Sequence, residues 1–198
     1  YYPDTLEVRQ DLARYHDNIT FAAELAGEIL DQLEADGLAD DTIVFFFSDH
    51  GRGMPRSKGW CFHSSLHVPL LIRFPAKFAS AAPANPGRTT DRVVSFVDFA
   101  PTVLSLAAVE PPDQMDGKAF LGEHAEPPRR LAFAYRDRLD ERYDLIRSVW
   151  DGRYHLIRNY FPHLPWFHEQ TRDYPHSQPA YQVWHRLEAE GKLSGDTA

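Results

Sequence analysis

Residues 42 to 69 read TIVFFFSDHGRGMPRSKGWCFHSSLHVP. The apolar run at 43–47 is rich in β-branched and aromatic residues, which predicts a strand buried on both faces of a sheet. The run ends abruptly in SDHG at residues 48–51. Ligands of open α/β sheets bind beyond the carboxyl ends of the strands, because the loops there aim side chains into a common crevice. This ending therefore predicts a site, although a strand followed by Asp and Gly is also typical of a simple turn.

Residues with the chemistry of a metal and anion site follow that strand. Asp49 and His50 are candidate metal ligands, because a carboxylate lies beside an imidazole and next to a glycine that permits a sharp turn. The next loop carries three cations that suit an anionic group held against the metal: Arg52, Arg56 and Lys58. A solvated surface position is the alternative for Lys58.

The composition of the 198 residues is ordinary for a globular protein, with 43% hydrophobic and 25% charged residues. The net charge of −8 argues against nucleic-acid binding, because no basic face stands out. A local basic loop can still attract an anionic substrate. No apolar stretch approaches the roughly 20 residues that span a bilayer, so no membrane partner is expected. The one cysteine, Cys61, permits no internal disulfide.

Hydrophobic spacing predicts a long first helix, capped at Asp4 or Thr5 and ending near Gly37. Three further elements are predicted before residue 110: strands at 68–74 and 93–97, and a helix from 98 to about 108 that has a proline in its first turn. A helix followed directly by a buried strand is typical of a parallel sheet. The predicted fold class is therefore α/β.

The pattern changes after two prolines at 127–128. We predict a boundary there, between residues 1–126 of an α/β domain and a small antiparallel unit at 127–198. Its β-forming runs lie at 131–135, 143–150 and 154–160. The last two runs are joined at Asp151 and Gly152, which predicts a hairpin with a two-residue turn and positive φ at both positions. A helical pattern near 181–190 closes the chain.

In order and spacing, these blocks resemble the C-terminal part of a sulfatase, a member of the alkaline phosphatase superfamily. The resemblance rests on YHDNI, TIVFFFSDHG, Lys58 with WCFHSSLHVPLLIRFP, VSFVDFAPTVLSLAAV, MDG and IRSVWDGRYHLIRNY. It implies part of a mostly parallel sheet with flanking helices. Within sulfatases, MPRSK and RNYFPHLPW look most like the bacterial N-sulfoglucosamine or heparan-type sulfohydrolases.

The resemblance implies a hydrolase of sulfate esters or sulfamates with a bound divalent cation, usually calcium. Asp49 and His50 match the pair that completes the metal site, and Lys58 matches the lysine that grips a sulfate oxygen during catalysis. Such charges stabilise the transition state, because negative charge spreads over the sulfate oxygens as the ester bond breaks. Arg52, Arg56 and His67 are candidate substrate contacts; packing or hydrogen bonding at the start of the second strand is the alternative for His67.

Two departures from the family pattern matter. The chain has no Cys or Ser followed by x-Pro-x-Arg, the motif whose first residue becomes the formylglycine nucleophile. Cys61 does not qualify, and a buried position beside Trp60 is expected for it. We therefore expect the nucleophile, the remaining metal ligands and the leaving-group acid upstream of Tyr1, and no turnover by this chain alone. His63 stands where relatives carry an acidic residue, which alters the charge facing a substrate.

The expected partner is a sulfated small molecule or glycan, and the resemblance suggests a periplasmic or extracellular location. His163 and Trp166 either shape a sugar site or belong to a buried cluster of prolines and aromatic residues. Two other functions remain open. One is a metal-dependent phosphodiesterase or phosphonate monoester hydrolase of the same superfamily, and the other is a non-catalytic module that binds sulfated glycans.

Overall fold

Helices and two small antiparallel sheets make up the computed structural model, which describes residues 1–139, 142–164 and 177–193. The helices are α1 (Leu6–Ala35), α2 (His63–Leu66), α3 (Phe99–Leu106) and α4 (Pro179–Ala189). The strands are β1 (Val44–Phe47), β2 (Leu70–Arg73), β3 (Ala132–Leu139), β4 (Arg142–Trp150) and β5 (His155–Asn159). Short 3-10 turns lie at Ala39–Asp41, Ala76–Ala81 and Phe96–Asp98. The predicted α/β class is confirmed.

The long helix α1 begins and ends where its sequence predicts. The hydroxyl of Thr5 accepts a hydrogen bond from the amide of Val8 at 3.3 Å, which satisfies one of the amides that a helix start leaves unpaired. Glu7 lies in the first turn, where the helix dipole favours a carboxylate. Gly37 follows the last turn with a φ of 70°, a left-handed conformation that glycine adopts without strain.

The start of α1 is buried, and its middle is not covered by the described residues. Val8 packs with Met54, Ala180 and Val183, so α4 closes over the first turns of α1. Large apolar side chains further along the helix are exposed: Ile19, Phe21, Leu25, Ile29 and Leu30. A helix of a globular protein usually buries its apolar stripe, so α1 presents an apolar face that the described residues leave open.

Strand β1 pairs with β2 in antiparallel direction over all four residues of each strand. The prediction that β1 is buried on both faces is wrong for the described part of the chain, because Phe46 and Phe47 are 45% and 44% exposed. Among the described residues β1 has β2 as its strand neighbour, and one of its faces is partly covered. There Phe45 and Phe47 contact Phe99, with ring centroids 6.2 and 4.9 Å apart. The parallel part of the sheet stays a prediction.

The predicted strand at 93–97 is replaced by a bridge and a turn. Val93 makes an isolated antiparallel bridge with Arg129. Ser95 and Asp98 then form a reciprocal capping box, which closes the 3-10 turn that leads into α3. The carboxylate of Asp98 also accepts a hydrogen bond from the Lys118 amide at 2.8 Å and pairs with the Arg129 guanidinium at 2.5 Å. This local hydrogen bonding outcompetes extended backbone, as is typical of Ser and Asp.

The antiparallel unit is confirmed as a three-stranded sheet in the order β3, β4, β5. The hairpin turn is shifted by one residue from its predicted place. The amide of Asp151 donates to the carbonyl of Tyr154 at 3.2 Å, so the loop is Gly152 and Arg153. Of these residues Gly152 alone has positive φ (93°), and Asp151 instead caps the turn by accepting from the Arg153 and Tyr154 amides at 2.8 and 2.6 Å.

The two predicted parts of the chain are in contact through Asp98 and Arg129 and through α1 and α4. The boundary at 126–127 stays a prediction. No helix in the described ranges is long and apolar enough to cross a bilayer. His163 lies next to Phe161, with ring centroids 5.8 Å apart, whereas Trp166 falls outside the described residues.

Candidate functional site

The turn after β1 is held against helix α2 by close backbone packing. The amide of Gly51 donates to the carbonyl of Ser65 at 2.9 Å, and the hydroxyl of Ser48 donates to the carbonyl of His50 at 2.7 Å. A side chain at position 51 would collide with the carbonyl of Ser64 and would lie 2.6 Å from Oγ of Ser57. Only glycine allows this approach, so the sequence SDHG fixes where Asp49 and His50 lie relative to α2.

Asp49 and His50 face one another at the end of β1. Nδ1 of His50 lies 2.8 Å from the carbonyl oxygen of Gly51, and because a carbonyl only accepts, this nitrogen must carry the hydrogen. Nε2, on the other side of the ring, lies 3.4 Å from Oδ2 of Asp49, and in the neutral ring this nitrogen carries the lone pair. Two acceptors that face one another repel, and a cation shared between them would reverse the sign of that interaction. Proteins commonly orient a metal-binding imidazole by such a bond to a backbone carbonyl.

The Asp49 and His50 donors suit part of a cation site. Their side chains are 80% and 39% exposed and so are accessible to an ion. Calcium takes about six to eight mostly oxygen ligands, so one carboxylate and one imidazole supply a fraction of its shell. Within residues 1–139, 142–164 and 177–193, no group of three or more His, Cys, Asp or Glu side chains is placed to hold a metal ion. The pair fits a metal only if further ligands join it.

The loop that carries Lys58 is folded back on itself and fastened to α2. The amide of Lys58 donates to the carbonyl of Arg52 at 3.0 Å, which closes the loop. The buried hydroxyl of Ser57 donates to the Ser64 carbonyl at 2.6 Å, and Oγ of Ser64 donates to the Arg56 carbonyl at 2.5 Å. Lys58 is exposed between buried Ser57 and buried Trp60. A well-anchored loop thus presents Lys58 as an exposed residue.

Arg52 and Arg56 both contact aromatic rings near the start of the chain. Nε of Arg52 donates to the Tyr2 hydroxyl at 3.2 Å, and Nη2 of Arg52 donates to the Tyr1 hydroxyl at 3.4 Å. The Arg56 guanidinium lies 4.7 Å from the ring centroids of both Tyr1 and Phe62. Burial raises the pKa of Tyr2, so this hydroxyl stays neutral. Tyr1 thus contacts both arginines, Arg52 through its hydroxyl and Arg56 through its ring. These contacts either order the two guanidinium groups for an anion or have a structural role.

His67 belongs to a cluster of imidazoles and an indole. Its ring centroid lies 4.7 Å from that of His63, which in turn lies 5.0 Å from Trp150 and 6.5 Å from His155. Burial lowers the pKa of His63 and of His155, and each is lowered further by a neighbouring imidazole, His67 for His63 and His63 for His155. The cluster joins α2 to the β4–β5 hairpin, so its rings come from parts of the sequence about 90 residues apart.

Cys61 is a core residue, as predicted. It is 4% exposed and packs with Trp60 and Ile146. Burial raises the pKa of its thiol, which disfavours the reactive thiolate. Cys61 is therefore unsuited to act as a nucleophile.

Several residues around the loop were missed in the sequence. No local signal pairs Tyr1 and Tyr2 with Arg52, or Trp150 and His155 with His63, and only the fold brings them together. A pairing between distant residues leaves no signal in one sequence without homologues to compare.

Two family models match the chain over overlapping ranges. The model described as Sulfatase matches residues 1–109, more than half of the chain. The chain belongs to the sulfatase family. The model described as N-sulphoglucosamine sulphohydrolase, C-terminal, matches residues 56–168 of this sulfatase chain, which agrees with the finer resemblance.

Relatives and a solved structure agree with this membership. An ulvan-active sulfatase of Formosa agariphila is 41% identical over 194 residues, which cover 98% of this chain and 31% of the relative. An endo-4-O-sulfatase of Bacteroides thetaiotaomicron is 31% identical over 159 residues, which cover 75% of this chain and 28% of the relative. The sulfatase chain thus spans about a third of the length of these curated relatives.

The fold also matches a solved structure of a protein in complex with its substrate D-glucosamine-2-N,6-O-disulfate. The TM-score is 0.51 and the identity 23%, over 83% of this chain and 35% of that one. At that identity the likeness shows a shared fold.

Proposed function

We propose that this chain is the C-terminal portion of a sulfatase that hydrolyses sulfate groups on carbohydrates with the help of a divalent cation. The observation that carries the proposal is the pairing of Asp49 and His50 at the end of β1, where Oδ2 of the carboxylate and Nε2 of the imidazole lie 3.4 Å apart. An accessible pair of acceptors at a strand end is what a cation site needs.

In this proposal Asp49 and His50 are two ligands of the cation, which is calcium by family resemblance. The other ligands come from an upstream part of the protein that also carries the formylglycine nucleophile. When bound, the cation supplies positive charge that offsets the negative charge developing on the sulfate oxygens. The chain's own contribution is to hold the imidazole in one tautomer, through the bond between His50 and Gly51.

Lys58 is the proposed catalytic contact to a sulfate oxygen. Its ammonium is exposed on a loop whose backbone is fastened at Ser57 and at Arg52, so the charge is presented from a rigid base. A preorganised charge stabilises a transition state better than a mobile one, because no reorganisation is needed during the reaction. Arg52 and Arg56 add positive charge beside it, and His67 is a further proposed substrate contact.

The uncovered apolar faces support a role as one part of a larger fold. Side chains such as Ile29 on α1 and Leu71 on β2 are 70% and 59% exposed. Large exposed apolar faces mark surfaces that another layer covers. In the proposal the upstream part of the sulfatase covers them, and the chain alone releases no sulfate.

The proposed substrate is a sulfated sugar, in line with the relatives named ulvan-active sulfatase and endo-4-O-sulfatase and with the match to the N-sulphoglucosamine sulphohydrolase C-terminal model. We propose a periplasmic or extracellular location, because a relative from Drosophila melanogaster is named an extracellular sulfatase.

The test is sulfate release from D-glucosamine-2-N,6-O-disulfate by the complete protein that contains this chain. Lys58→Ala should lower kcat/KM by about 100-fold, since removing one transition-state charge contact costs about 3 kcal/mol. Lys77→Ala is the matched control, because Lys77 is an exposed lysine paired with Asp41 on the surface. Equal activity of the two variants would refute the role of Lys58, and no release of sulfate by the complete protein from any sulfated sugar tried would refute the function.

A further inference from the structure

A buried arginine of the C-terminal sheet reaches into the loop that carries Lys58. Arg136, on β3, is 5% exposed. Its Nη1 donates to the carbonyl of Gly59 at 2.8 Å, and its guanidinium carbon lies 3.7 Å from the ring centroid of Trp60. Its Nη2 lies 3.3 Å from Oδ2 of Asp144 on β4. One side chain thus contacts the two residues that follow Lys58.

Stability alone does not explain the buried ion pair of Arg136 and Asp144. Both side chains are almost fully buried, at 4% and 3% exposed, so both charges have lost their water. Buried ion pairs often contribute no more to stability than apolar residues of the same volume, and a specific geometry is one reason to keep them. Here the geometry is a fork: one arm of the guanidinium faces Asp144 and the other faces Gly59, while its plane covers Trp60.

We propose that Arg136 is a positioning residue that holds the Lys58 ammonium in place for sulfate. Lys58 and Gly59 are exposed between two buried anchors, Ser57 and Trp60. The first anchor is tied to α2 through Ser64, and the second is tied to the C-terminal sheet through Arg136. The inference rests on the proposed function of Lys58, which it extends to a residue 78 positions further along the chain.

Loss of this anchor acts on the backbone beside Lys58. Without the guanidinium, the Gly59 carbonyl loses its donor and Trp60 loses the cation over its ring. Gly59 has a φ of 84°, a conformation that glycine adopts without strain. Because glycine has no side chain, Gly59 makes no side-chain contact that would restrain the segment. A shift of about 1 Å in a charge that contacts the reacting group is enough to reduce the rate strongly.

The experiment is a double-mutant cycle on kcat/KM in the complete protein, with D-glucosamine-2-N,6-O-disulfate as substrate. Arg136→Lys keeps the charge beside Asp144 but cannot span the fork, so we expect about a tenfold loss, as for one charged hydrogen bond. Arg136→Met with Asp144→Leu removes both charges and should lose at least as much. Arg147→Met is the matched control, because Arg147 is an arginine of the neighbouring strand β4 that forms its own half-exposed pair, with Asp137 at 2.6 Å.

The same variants in the Lys58→Ala background separate positioning from general destabilisation. If Arg136 acts through Lys58, Arg136→Lys changes kcat/KM less than twofold once Lys58 is absent. If the tenfold loss persists in that background, the inference is overturned while the proposed function stands. If Lys58→Ala alone leaves kcat/KM unchanged, the proposed function of Lys58 fails and the inference fails with it.

Hydrogen exchange of the complete protein gives a second readout that needs no turnover. The amides of Lys58 and Trp60 donate to the carbonyls of Arg52 and Ser57, so both should be protected in the parent chain. Arg136→Lys should speed their exchange about tenfold while the amides of α1 keep their rates. Exchange at Lys58 and Trp60 no faster than in Arg147→Met would contradict the inference.

Discussion

Gly51→Ala tests whether the end of β1 depends on close packing against α2. An added methyl group would lie 2.6 Å from Oγ of Ser57 and 2.7 Å from the Cα of Ser65, and closer still to the carbonyl of Ser64. Carbon atoms pack comfortably at about 3.5–4.0 Å, so the turn must move away from α2 by about 1 Å. The backbone angles of Gly51 are open to any residue, so the effect is steric rather than conformational.

The expected cost is the sum of two terms. Overpacking of a tight site costs about 1–3 kcal/mol, and the bond from the Gly51 amide to Ser65 contributes about 1 kcal/mol when it breaks. We therefore expect a loss of about 3 kcal/mol in the free energy of unfolding, measured for the isolated chain in urea. Gly27→Ala is the control, because no atom lies within 4 Å of the added methyl in the interior of α1.

The control should change stability in the opposite direction. Alanine in a helix interior is favoured over glycine by up to about 1 kcal/mol, so Gly27→Ala should stabilise the chain slightly. If Gly51→Ala unfolds at the same urea concentration as the parent chain, the turn is not packed as described, and the placement of Asp49 and His50 loses its support.

Two further predictions concern the buried carboxylate and the open helix face. Burial opposes ionisation of Asp98, but hydrogen bonds from Arg129 and from the Lys118 and Ser95 amides outweigh it and lower its pKa. Its stabilisation is therefore complete above the unfolded value of about 3.9 and is lost as the pH falls through the folded pKa. Asp98→Asn should lower the free energy of urea unfolding at pH 7 by about 3 kcal/mol. It should also weaken the dependence of that free energy on pH below the unfolded pKa; an unchanged pH dependence would contradict the prediction. Ile29→Glu should leave the chain's unfolding free energy within about 0.5 kcal/mol and reduce its self-association in light scattering, whereas a large loss of stability would show that this face is already covered.

Local sequence signals predicted most of the elements. Thr5, the α1 periodicity and Gly37 act within one helix, so their physics is fully contained in neighbouring residues. The hairpin was predicted for the same reason, although Asp151 caps the turn with its side chain rather than adopting positive φ. Burial, by contrast, is not set by neighbouring residues. The apolar run of β1 predicts a doubly buried strand, yet burial depends on which other elements cover it.

The candidate site was predictable only in part. The motif SDHG marked Asp49 and His50, and the tautomer of His50 adds a physical reason for a ligand role. The anchors of the Lys58 loop could not be predicted, because Arg136 lies 78 residues further along and its buried pairing with Asp144 leaves no periodic pattern. The order of several blocks, each of which is weak alone, predicts the sulfatase family, and the family model that matches residues 1–109 confirms it.

Calcium titration by calorimetry tests the central claim most directly, with the complete protein stripped of metal and compared with its Asp49→Asn and His50→Ala variants. The account predicts that the parent binds one calcium ion at this site and that each variant binds it at least about tenfold more weakly, since each loses one ligand. Calcium affinity that is the same in the parent and in both variants would contradict the assignment of these residues as metal ligands.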